Sequence, residues 1–112
     1  MIITPIKTRV LVPPQDDLLA VIQKSLSRLG ERSVLVVTSK IVSIGEGRCV
    51  PKEKFPDKDE LIKKEADLYL PRKAAPHGWV IHTIKNNIFI PSAGIDESNS
   101  GEYYTLWPKN PG

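Results

Sequence analysis

The segment "SVLVVTSKIVSIGEGR" constrains the fold more than any other, because residues 34–37 form a continuous, largely β-branched apolar run. Such a run is too short for a helix, and a strand that is apolar at every position has both faces covered. It predicts the centre of a sheet, and the flanking segments must supply the cover. Upstream, "QDDLLAVIQKSLSRLG" sets Leu18, Ile22 and Leu26 in an i, i+4, i+8 series flanked by Leu19, Val21 and Leu29, with acids at its start and Gly30 at its stop. This is the pattern of an amphipathic helix. Before it, residues 10–12 form an apolar run closed by Pro13 and Pro14, read as a strand ending in a rigid turn.

Downstream of a proline-broken link, Asp57 is an N-cap candidate with Glu60 three residues on. Leu61, Ile62, Ala66 and Tyr69 follow at helical spacing before Pro71. The runs "WVIHTIK" and "IFIP" flank Asn86 and Asn87, and asparagine tolerates the positive φ of a two-residue hairpin turn. "YYTLWP" reads as a further, half-buried strand. The expectation is an α+β fold, a mixed sheet of several strands with two helices, in a single small domain. At 112 residues the chain leaves little room for a second domain.

Composition excludes several classes of function. With 40% hydrophobic and 26% charged residues the chain is neither disordered nor fibrous. A net charge of +3, with basic residues interleaved among 13 acids, gives no nucleic-acid footprint. Cys49 is the sole cysteine and has no intramolecular disulfide partner. No apolar run approaches the roughly 20 residues of a membrane span, and the start lacks the pattern of a signal peptide. A reducing, cytoplasmic setting is expected.

Two segments carry candidate chemistry. In "SAGIDESN", small residues leave the backbone open to a close-approaching ligand. There Asp96 offers the hard carboxylate oxygens that Mg²⁺ or Mn²⁺ prefers, and Asn99 an amide for a phosphate or a nucleotide sugar. The competing reading is a connecting loop whose Asp96, Ser98 and Asn99 bond their own backbone. In "TSKIVSIGEGR", Thr38, Ser39 and Lys40 stand at the carboxyl end of the predicted buried strand, where open sheets collect phosphate ligands. The segment is not a Walker loop. Its competing reading is a solvated Lys40 and a turn in which Glu46 pairs with Arg48. Cys49 lies among Arg48, Lys52 and Lys54, which would lower its pKa, but no positioned base accompanies it. His77 and His82 read as satisfied structural histidines, and Trp79, Trp107, Tyr103 and Tyr104 as packing residues.

Taken together, "VLVVTSKIVSIGEGR" and "SAGIDESN" resemble the amino-terminal half of the coenzyme F-420-0:L-glutamate ligase family, the gamma-glutamyl ligases of the deazaflavin coenzyme. In that family a Val-Val-Thr-Ser-Lys-Ile-Val-Ser…Glu-Gly-Arg segment is followed by Asn-Ala-Gly-Ile/Val-Asp-x-Ser-Asn. The likeness extends to the "DDL" of residues 16–18 and to the late "LWPKNP". It implies a GTP-dependent amide-bond ligase that phosphorylates a substrate carboxylate before glutamate attacks, with Mg²⁺ or Mn²⁺ at the phosphates. By motif match it makes Asp96 a metal ligand, Asn99 a nucleotide contact, and Ser39 and Lys40 phosphate-side contacts. The implied partners are GTP, L-glutamate and a deazaflavin precursor.

Two departures stand out: Ile44 where many members have lysine, and Ser92 in place of the motif's asparagine. Family enzymes are longer and carry a Thr-Asp-x-x-Gly-Arg-like metal segment in a second half. Residues 1–112 alone are therefore expected to be an incomplete ligase without turnover. A homodimer is expected through unpaired strand edges. The alternative is a non-catalytic binding or assembly module that keeps the fold.

Overall fold

Asp17 and Asp57 set where two helices begin. The Asp17 carboxylate accepts the Ala20 N–H at 2.9 Å, and Asp57 accepts that of Asp59 at 2.9 Å, each satisfying a donor that the first helical turn leaves without a partner. The computed structural model describes residues 1–109. Along them lie α1 (Leu18–Ser25), α2 (Ser39–Gly45), β1 (Cys49–Pro51), α3 (Lys58–Glu65), β2 (Leu68–Tyr69), β3 (Thr83–Lys85), β4 (Ile88–Phe89) and β5 (Tyr103–Thr105), with short 3₁₀ turns between them. Of the late "LWPKNP", Asn110 and Pro111 lie outside the described residues.

The α+β class holds, but the sheet is divided. β1 pairs antiparallel with β5, setting Val50 opposite Tyr104, and β2, β3 and β4 form a separate antiparallel sheet. No parallel pairing occurs among these strands, so the expected mixed sheet is replaced by two antiparallel ones. The hairpin turns where predicted: Asn86 and Asn87 take φ of 51° and 61°, both in the left-handed region a two-residue turn requires. β5 likewise falls within "YYTLWP".

Four local expectations are corrected. Residues 34–37 are not a buried central strand: Val34 is 86% and Val36 84% exposed, and no backbone ladder engages them. A fully apolar strand needs neighbours on both sides, and the described strands here pair only with one another. Helix α2 follows at once, so Thr38, Ser39 and Lys40 open a helix rather than close a strand. Residues 10–12 form no strand; only Leu11 is buried, packing with Val21 and Ile44, while Pro13 and Pro14 make the turn across a cis bond. α1 ends at Ser25, a turn short of Gly30. Val21 is its one buried residue, so the later leucines of the stripe have no core to hold them. Tyr69 belongs to β2, because α3 ends at Glu65 and Ala66 is already extended.

The main core joins Leu61 and Ile62 of α3 to Ile81, Ala93, Ile95, Tyr104 and Leu106. Each fully buried aliphatic of this kind stabilises by about 1.5–3 kcal/mol. An ionic bolt ties the two sheets beside it. Glu65 accepts from Arg48 at 2.7 Å and from Lys85 at 3.0 Å, while Arg48 Nε donates to the Trp107 carbonyl at 3.1 Å. Arg48 is thus committed to Glu65 rather than to Glu46, which instead accepts the Lys109 N–H. No helix among the described residues is long and apolar enough to cross a membrane.

Candidate functional site

The site is built on a left-handed turn. Ser92, Ala93 and Gly94 take φ of 53°, 52° and 70° in succession. For the two non-glycine residues this conformation costs about 1–2 kcal/mol each, so surrounding bonds must hold it. Ser92 N–H donates to the Ile81 carbonyl at 2.8 Å, and Ala93 N–H to Thr83 Oγ1 at 2.8 Å, with the Ala93 side chain wholly buried. Gly94 admits no substitute. A β-carbon there would lie 2.7 Å from Trp107 Cε3 and 2.8 Å from Ile90 Cδ1. The Trp107 ring therefore lies against bare backbone.

From this turn the chain runs to Asp96, whose N–H and carbonyl bond Thr105 at 2.9 and 2.8 Å and extend the β1–β5 ladder. That anchorage aims the carboxylate at the first turn of α2. Lys40 Nζ lies 2.6 Å from Asp96 Oδ2, donates to Asn99 Oδ1, and sits 3.4 Å from Ser98 Oγ. Ser98 Oγ in turn donates to Asp96 Oδ1 at 2.9 Å. Burial pushes the Asp96 carboxyl up, but the hydrogen bonds from Lys40 and Ser98 outweigh it and hold the group below the usual aspartate range. The Asx-turn expected of a plain loop is present as well, since Ser98 N–H reaches Asp96 Oδ2 at 3.2 Å. The loop bonds itself and also reaches across to Lys40.

Ser39, Lys40 and Asp96 line one small cavity of 240 Å³ together with Gly94, Thr105 and Trp107. Of the four predicted site residues, three line this cavity and the fourth, Asn99, meets Lys40 beside it. Trp107 is the wall that sequence reasoning assigned to packing; its role depends on the φ of Gly94, which no motif states. A wider cleft of 640 Å³ between α1 and α2, lined by Asp16, Asp17, Leu18, Val42 and Glu46 among others, contains none of the predicted residues.

The other candidates fall away from this place. Ile44 is buried against Leu11 and Val21, so its side chain belongs to the smaller core. Cys49 is not activated: burial pushes its thiol up despite the neighbouring Thr105 hydroxyl. His82 is not satisfied as expected, because its buried Nδ1 has no partner, and its ring stacks on Phe89. Trp79, expected to pack, is 80% exposed.

Among the described residues no three His, Cys, Asp or Glu side chains gather as metal ligands. The donors at Asp96 are one carboxylate, one amide oxygen and one hydroxyl, all hard oxygens converging on a cationic nitrogen. That set suits part of a Mg²⁺ or Mn²⁺ sphere, the remainder of which such ions ordinarily draw from phosphates and water.

A family model described as F420-0:Gamma-glutamyl ligase matches residues 5–112. The chain belongs to this family. No solved structure matches the chain. The match spans both candidate segments of this F420-0:Gamma-glutamyl ligase family member, "TSKIVSIGEGR" and "SAGIDESN", and the hairpin between them.

Proposed function

We propose that this chain is the nucleotide- and metal-holding part of a GTP-dependent gamma-glutamyl ligase, acting in the cytoplasm on a deazaflavin precursor. The observation that carries the reading is the convergence of Lys40 with Asn99, 59 positions away, and with Asp96 beside a cavity rimmed by Ser39. In the reaction, the GTP γ-phosphoryl group passes to a carboxylate of the precursor, leaving GDP. The glutamate amine then attacks that acyl carbon, forms the amide and releases phosphate.

The chain's own groups serve the first half. The Lys40 ammonium supplies positive charge to phosphate oxygens, and the Ser39 hydroxyl donates at the rim. Asn99 keeps its amide N–H groups for a phosphate or ribose while its oxygen faces Lys40. Asp96, with Ser98 and Asn99, would hold Mg²⁺ or Mn²⁺. When bound, the ion screens phosphate repulsion. One carboxylate does not complete a two-metal clamp, so residues 1–112 alone are expected to yield no GTP- and glutamate-dependent amide product.

Calorimetric titration with Mn²⁺–GTP tests the reading. Wild type should release heat with a defined stoichiometry, and Asp96→Ala should lose it. Equal heats from the two proteins would remove Asp96 from the role.

The homodimer belongs to the same reading. Ile2, Ile3, Val10, Val12, Leu19, Val34 and Val36 are each at least 60% exposed. At about 60–120 Å² of apolar side-chain surface apiece, they offer roughly 400–800 Å² per copy. A standard interface buries about 800 Å² per partner. Two copies pairing residues 34–37 antiparallel would bring Val34 and Val36 of each against the other and complete unpaired backbone edges.

A further inference from the structure

The oxygens that suit a divalent cation already hold a cation of the chain's own. Lys40 Nζ has three N–H donors, and three acceptors surround it: Asp96 Oδ2 at 2.6 Å, Asn99 Oδ1, and Ser98 Oγ at 3.4 Å. Ser98 engages the remaining carboxylate oxygen, so neither oxygen of Asp96 is left without a partner. The side chains are 29% and 36% exposed, which leaves the ammonium a route outward.

We propose that Lys40 is a built-in competitor for the cation position at Asp96, so that a divalent ion binds there tightly only when an anionic ligand draws the ammonium away. The proposal rests on the reading of Asp96 as a metal ligand and adds the order in which that site fills. A small divalent ion needs about 2.0–2.1 Å to a carboxylate oxygen. With Nζ held at 2.6 Å from that oxygen, ion and ammonium would be crowded at like charge. Even about 4 Å apart and at the dielectric of water, which suits a part-exposed pair, their repulsion lowers ion affinity by roughly thirtyfold. Moving the ammonium into solvent breaks its ion pair without replacement. Moving it onto phosphate oxygens at the Ser39 side of the cavity replaces that partner and exposes Asp96. Metal and polyphosphate then each raise the affinity of the other by the same factor.

The test is Mn²⁺ binding, read from the electron paramagnetic resonance signal of the free ion, with no nucleotide present. Wild type should bind weakly. Lys40→Met should bind roughly thirtyfold more tightly, Lys40→Gln should follow it, and Lys40→Arg, which keeps the charge, should stay at the wild-type level. Asp96→Ala added to Lys40→Met should abolish the gain. If neither neutral variant, with circular dichroism matching wild type, binds Mn²⁺ better than wild type, the competition proposal fails. If Lys40→Met gains Mn²⁺ while wild type takes up no Mn²⁺–GTP, the competition stands and the nucleotide reading fails instead.

Discussion

Gly94 governs the site at the scale of a single residue. Its φ of 70° and the Trp107 ring at 2.7 Å from a would-be β-carbon leave no room for any side chain. Gly94→Ala should therefore cost about 2–4 kcal/mol in a urea titration, combining left-handed strain with overpacking against Trp107. Asp57→Ala should cost about 1 kcal/mol by removing an N-cap, read in the same way. Asp96, Asn99, Ser39 and Lys40 were legible as candidates because their chemistry sits in contiguous motifs. Trp107 was not, since its position depends on a backbone angle thirteen residues earlier that a sequence does not display.

Among the elements, the ion pairs around α3 set how the fold responds to acid. Glu65 is pushed up by burial, but Lys85 and Arg48 overcome this and hold it below its ordinary 4.5. Arg72 holds Asp59 below its ordinary 3.8. A depressed carboxylate takes up its proton later in the folded state than in the unfolded one. Its stabilisation is thus complete above the ordinary value and is lost as pH falls through the folded one. Urea midpoints should be flat near neutrality and fall below about pH 4.5. Glu65→Gln should cost about 1–3 kcal/mol at pH 7, by leaving Arg48 and Lys85 without their anion, and should make the acid decline shallower.

The elements also mark where reading by pattern failed. α3 and the Asn86–Asn87 hairpin were readable because their caps and turn residues act locally. Residues 34–37 were misread because an apolar run states only that it seeks cover, and the cover has to come from elsewhere in space.

At the scale of the whole molecule, the radius of gyration of 16.2 Å exceeds the roughly 13 Å of a compact domain of this length. Exposed apolar side chains at Ile2, Ile3, Val10, Val12, Val34 and Val36 accompany that extension. Sedimentation velocity should show a concentration-dependent shift from monomer to dimer. Val34→Lys with Val36→Lys should hold the chain as a monomer, with a urea midpoint equal to that of wild type at concentrations where wild type is itself monomeric, since neither residue is buried within one chain. A single monomeric species at every concentration would overturn the dimer. Chain length announced one small domain and the helix and strand signals an α+β fold, but neither carries information on how much apolar surface stays uncovered.

β1 and β5 lie at residues 49–51 and 103–105, and Asp96 is fastened to the latter. During synthesis, then, α2 with its lysine emerges from the ribosome long before anything exists to receive it. A product terminated ahead of Tyr103 would still contain every candidate ligand-binding side chain, yet would lack the strand that brings them within reach of one another.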